Sequence, residues 1–161
     1  MNKRKAKGAA VIFLAFCIFA APAGAMAKIN PIITVQVYRA ANDLILKPGI
    51  KGQIAAVEKY TFNYKGREKM SSIEKVLKYV DAEKLNPASL KWVSSKEKVA
   101  DVSSSGTVTA KKRGSAYIYP VPRGVYSYKT RGKYIIYLTG SVSHGFKIYG
   151  GIGSKVKVTN K

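Results

Sequence analysis

The 25 residues from Leu90 to Gly114 constrain the fold of this chain more than any other stretch: LKWVSSKEKVADVSSSGTVTAKKRG. Leu90 and Trp92 alternate with Lys91 and Val93, the period of two expected of a strand with one buried face. The polar run Ser94 to Lys98 turns the chain, and Val99 to Val102 is a second short apolar segment. Ser103-Ser104-Ser105-Gly106 is a turn cluster whose glycine supplies permissive backbone. Thr107 to Ala110 alternates again before the basic turn Lys111-Lys112-Arg113-Gly114. Three short strands separated by turn signals predict an all-β sandwich or barrel, not strands alternating with helices.

The same residues, in the order W-x-S-S, V-A-x-V, G-x-V-T-A and a basic turn ending in glycine, resemble the group 2 bacterial immunoglobulin-like domain of intimin- and invasin-type surface proteins. Trp92, Ser94, Ser95, Val99, Ala100, Val102, Gly106, Val108, Thr109, Ala110 and Gly114 carry the resemblance. It covers this stretch closely and the flanking strands loosely. The resemblance implies an extracytoplasmic immunoglobulin-like β-sandwich, used as a spacer or an adhesive module. The matched residues are implied to be scaffold, so the family indicates fold better than function.

Residues 1–27 read as a secretory signal peptide. Asn2 to Lys7 is a positive leader, Ala9 to Ala20 an unbroken apolar run, and Ala25-Met26-Ala27 a small-x-small cleavage site following Pro22 and Gly24. The apolar run is short for a membrane span of ~20 residues. Cys17 follows Phe16, the wrong size for a lipoprotein signal, and removal of the leader leaves a chain of residues 28–161 without cysteine. Antibody domains join their two sheets by a disulfide beside a core tryptophan. A single domain here would rest on burial alone, which a chain of this length can supply. No apolar stretch or sorting motif anchors the C-terminal side, so the expected location is secreted or extracellular, with attachment to the envelope by non-covalent attraction.

Ile32 to Tyr38 predicts a first, half-buried strand, with Ile33, Val35 and Val37 on one face. Leu44 to Leu46 leads into a Pro48-Gly49 turn, and Tyr60, Phe62 and Tyr64 alternate in another strand. Ser71 and Glu74 have the spacing of a capping box. Ile73, Val76, Leu77 and Val80 follow as one apolar stripe, predicting a helix over roughly 71–84 that ends before Pro87 and caps an open end of the sandwich. Ala116 to Val121 is a strand that Pro120 and Pro122 assign to an edge or an early end. Lys133 to Thr139 and Phe146 to Tyr149 predict an extra C-terminal hairpin through Gly140 and His144-Gly145. Gly150 to Gly153 is expected to be a turn, and Lys155 to Thr159 the closing strand, valines inward and lysines outward.

The sequence offers little to catalysis. His144 is the one histidine and reads as an exposed turn residue, with no carboxylate in the last 60 residues to orient it. Nucleophile elbows, zinc-protease motifs and phosphate loops are missing from the sequence, and Asp81 and Glu83 would point to different faces of a helix. The expectation is a protein that is not an enzyme and needs no cofactor or metal.

Charge is the informative property. Without the leader the chain has 25 Lys and Arg against 8 Asp and Glu, and residues 102–161 hold 11 basic groups and no acid. A net charge of about 2–8 is enough to keep a small domain soluble, so this excess points to a polyanionic partner. Gly124 to Lys133 is predicted to be a loop, and its Tyr126, Tyr128, Lys129, Arg131 and Lys133, with Arg123 just ahead of it, are expected to bind an anionic envelope polymer such as teichoic acid, an acidic glycan, or an anionic lipid surface. Cations would pair with the anions, and tyrosines stack on sugar rings or rest at a headgroup boundary. Nucleic acid fits the same electrostatics, but export disfavours it. The competing expectation is a protein-binding accessory or adhesin subunit of a surface assembly.

Overall fold

The computed structural model describes residues 32–65, 69–138 and 147–161; the predicted signal peptide and His144 lie outside them. Thirteen strands, numbered in chain order, and one short helix make up this part of the chain. A six-stranded sheet runs β10 (Tyr128–Arg131), β11 (Tyr134–Tyr137), β12 (Lys147–Ile152), β1 (Ile32–Ala40), β4 (Val57–Lys65), β5 (Ala82–Leu85). A four-stranded sheet runs β2 (Leu44–Leu46), β13 (Ser154–Val158), β9 (Gly114–Val121), β6 (Lys91–Ser94). A third holds β3 (Lys51–Gln53), β8 (Thr107–Ala110) and β7 (Ala100–Val102). The result is the all-β, immunoglobulin-like sandwich expected, with one short helix.

All three sheets close on one core. Tyr38, Ala40, Val57, Ile135 and Tyr137 of the six-stranded sheet meet Trp92, Ile118, Val156 and Val158 of the second and Ala100, Val108 and Ala110 of the third. The Leu90–Gly114 stretch builds much of this contact. Trp92 is buried and its indole N–H donates to the Pro87 carbonyl at 3.0 Å. Ser94 Oγ donates to Ala100 O at 2.6 Å, tying β6 to β7, while Ser95 Oγ accepts from Tyr117 N at 2.8 Å, tying the following turn to β9. Gly106 has φ +82, and a Cβ there would stand 2.9 Å from Pro87 Cβ and 3.4 Å from the Trp92 ring. Both the left-handed backbone and the space demand glycine.

The opposite face of the six-stranded sheet is also covered. Helix α1 (Met70–Leu77) lays Met70, Ile73 and Leu77 over Val35, Val37, Tyr60 and Ile152. β1 therefore buries both faces, Val35 and Val37 under the helix and Tyr38 and Ala40 in the sandwich. This revises two expectations. The apolar stripe covers the outside of a sheet instead of capping an open end, and the helix ends at Leu77. Tyr79 N and Val80 N bond back three residues, to Val76 O and Leu77 O, and Ala82–Leu85 then pairs with the free edge of β4. The capping box is not made either: Lys69 is the N-cap, no side chain caps the helix, and Glu74 faces β11.

Two further differences lie near the C-terminal side. Gly150 and Gly151 belong to β12, paired with Val37 and Tyr38 of β1 and with Ile136 and Ile135 of β11, so they are sheet interior and not a turn. They leave room for larger neighbours: a Cβ on Gly150 would stand 3.0 Å from Met70 Cε, and one on Gly151 2.7 Å from Tyr137 Oη. The chain changes sheets at Gly153, where β12 ends and β13 begins. β13 has the predicted alternation, Val156 and Val158 buried, Lys155 and Lys157 exposed. β9 is flanked by β13 and β6 and so is not an edge, but Pro120 lies beyond its last β13 partner, the Ser154–Ile118 pair.

Candidate functional site

The predicted binding loop is a hairpin. β10 and β11 pair antiparallel from Tyr128–Tyr137 to Arg131–Tyr134 around Gly132 and Lys133, and Leu138 N donates to Ser127 O at 2.9 Å. The hairpin thus begins within the segment expected to be irregular. Alternation then divides the site: Lys129 and Arg131 share one face of β10, Tyr128 and Thr130 the other. All four are exposed. Tyr126, 87% exposed just ahead of β10, has the Lys91 ammonium 5.9 Å from its ring centroid.

Arg123 and Lys133 are engaged elsewhere. The Arg123 guanidinium donates to Ala88 O at 2.9 Å and Ser89 O at 3.2 Å, tying the end of β9 to the 3-10 turn Pro87–Ser89. Lys133 reaches back to helix α1, its ammonium 2.9 Å from one Glu74 carboxylate oxygen and 2.8 Å from the other. Tyr134 Oη donates to the same carboxylate at 2.5 Å. Burial pushes the Glu74 carboxyl up, but the hydrogen bonds from Lys133 and Tyr134 outweigh it and hold the group below its usual range. The Lys133 ammonium is correspondingly raised by its bond to Glu74. The structure therefore brings Tyr126, Tyr128, Lys129 and Arg131 together on one hairpin and uses Arg123 and Lys133 as fasteners. Nothing in the sequence marks Glu74 as the partner of Lys133, 59 residues away.

A second basic region is scattered in the sequence and collected by the fold. Lys47 to Ile50, Lys96 to Val99 and Lys111 to Arg113 are three turns at one end of the sandwich. Gly49 N donates to Ala110 O at 2.8 Å, Ala110 N to Ile50 O at 3.0 Å, and Lys111 N to Val99 O at 2.8 Å. Lys47, Lys96, Lys98, Lys111, Lys112 and Arg113 are all exposed there. Of these, only the Lys111–Lys112–Arg113 run is conspicuous in the sequence.

Among the described residues no three His, Cys, Asp or Glu side chains stand close enough to hold a metal ion, and no helix is long and apolar enough to cross a membrane. No family model matches the chain, and no curated protein matches it.

Proposed function

We propose that this chain is a secreted, non-catalytic module, akin to the group 2 bacterial immunoglobulin-like domains, that attaches to anionic polymers of the cell envelope or of a host surface. The observation that carries this reading is the β10 face. Lys129 and Arg131 stand two residues apart on one face of an exposed strand, with Tyr128 on its other face and Tyr126 just ahead of it, within the 60 residues after Asp101, which contain no acid. Exposed cations spaced along a strand suit the repeating charges of a teichoic acid or acidic glycan, and the exposed tyrosine rings suit its sugars. The Trp92–Ser94–Ser95–Gly106 arrangement supports the family reading, since each residue has a scaffold role of the kind the resemblance implies.

The test is binding to a purified anionic envelope polymer across a salt series, comparing wild type with K129Q/R131Q. These two cations are chosen because Arg123 and Lys133 hold the fold. A loss of about fivefold per residue is expected, with a shallower salt dependence. Unchanged affinity and unchanged salt slope reject the site. Export is tested separately: an intact N-terminus at Met1 in culture fractions overturns it.

One observation favours the second reading, a protein-binding accessory or adhesin subunit. Among the described residues β10 is the outer strand of its sheet, and the pairing alternation turns the N–H and C=O of Tyr128 and Thr130 away from β11. An added strand from another protein would use those groups. Salt-resistant binding that slows exchange of these two amides would favour it.

A further inference from the structure

The end of the sandwich opposite the Tyr126 segment combines charge with exposed apolar side chains. We propose that this pole is a docking surface for an anionic lipid bilayer. It rests on the reading of the chain as an anion-attaching module but assigns a different face and names the ligand. Lys47 to Ile50 is a tight turn, closed by Ile50 N donating to Lys47 O at 3.0 Å, with Pro48 at its second position and Gly49 at φ +82 at its third. That is the type II combination, stiff because proline fixes one φ and glycine accepts the other. The turn holds Ile50 52% exposed. Ile45, 74% exposed, lies on the outward face of β2 directly beside Lys157 of β13.

The three turns joined at this pole expose Lys47, Lys96, Lys98, Lys111, Lys112 and Arg113. The carboxylates nearby are few. Glu97 is the one acid within the three turns, and Asp101 is taken by Lys111 at 3.0 Å. A soluble polyanion would reward the cations but not the isoleucines. An anionic bilayer rewards both, because lysine and arginine pair with headgroup phosphates while the apolar side chains enter the acyl boundary. β2 and β13 run into this pole and β9 leaves it. The sandwich would stand end-on, and the eight residues of β9 would hold the Lys91–Tyr126 end about 23 Å further out.

The test is flotation of the purified protein with vesicles of phosphatidylcholine alone or mixed with phosphatidylglycerol, with soluble polyphosphate as the non-lipid anion. All substituted side chains are exposed, and retained Trp92 emission confirms folding. Wild type is expected to float with the anionic vesicles only. K47Q/K112Q/R113Q should bind them on the order of 100-fold more weakly, about fivefold per cation. I45S/I50S should lose about tenfold per isoleucine while keeping its affinity for polyphosphate. Flotation of either variant at the wild-type level, equal flotation with neutral vesicles, or loss of flotation in K129Q/R131Q instead, overturns the proposal. If vesicle docking behaves as described while envelope polymer is not bound at all, the polymer reading falls and the lipid surface stands.

Discussion

Replacing Trp92 probes the centre of the fold, and its cost follows from two separable contributions. Trp92→Ala removes a side chain that is only 8% exposed and leaves a cavity beside Pro87 and Gly106. Such a truncation costs about 3–5 kcal/mol. Trp92→Phe keeps an aromatic ring but deletes the indole N–H that donates to Pro87 O. That carbonyl still accepts from Leu90 N at 3.3 Å, so it is not left bare. The lost bond therefore costs only ~0.5–1.5 kcal/mol, and the smaller ring adds roughly 1 kcal/mol of lost packing. The expected order is wild type, then Phe lower by about 2 kcal/mol, then Ala lower by about 4. Urea unfolding followed by far-ultraviolet circular dichroism reads it, since both substitutions remove the sole tryptophan. An alanine cost below ~1 kcal/mol would place Trp92 outside any tight core. A phenylalanine cost equal to that of alanine would mean the hydrogen bond, not burial, dominates.

Glu74→Gln should loosen helix α1 from the hairpin by about 1 kcal/mol at neutral pH, a figure discounted because Lys133 is 42% exposed; thermal melts of the variant check it. Because the folded Glu74 carboxyl sits below its ordinary 4.5, its contribution is complete above that pH and fades as pH falls through the folded value. Wild type should lose its advantage over Glu74→Gln in acid, and an advantage independent of pH would contradict the assignment. Gly106→Ala should cost about 2–3 kcal/mol by equilibrium unfolding, from left-handed backbone and the contact with Pro87 together.

Most strands were legible because they alternate: Leu90 and Trp92, Tyr60, Phe62 and Tyr64, and Val156 and Val158 each declare a period of two. β12 was partly hidden, since Gly150-Gly151 has the composition of a turn and is in the sheet only because Met70, Ile135 and Tyr137 need the space. β10 was hidden for the opposite reason: with every residue exposed it has no apolar period to read. The helix stripe was real but ran on into Val80, and nothing local records that Ala82–Leu85 would find the edge of β4. At the binding surface the residue types were legible and their partners were not. Arg123 and Lys133 look the same in sequence as Lys129 and Arg131; carbonyls at residues 88–89 and a carboxylate at 74 separate the pairs.

The parallel pairings of β1 with β12 and of β2 with β13 decide when this chain can become a folded object. Each joins segments more than 100 residues apart, Val35 with Ile148 and Leu44 with Val156. The entropy of closing so long a loop is spent before either ladder returns any stabilisation. β11, β9 and β6 reach β1 and β2 through β12 and β13, so neither large sheet is complete until the 147–158 segment is in place. Local hairpins such as β7–β8 can come and go earlier, but the cooperative structure is made last and slowly, in the manner of high-contact-order β proteins. A nascent chain of this design therefore has neither large sheet complete until its closing strands emerge.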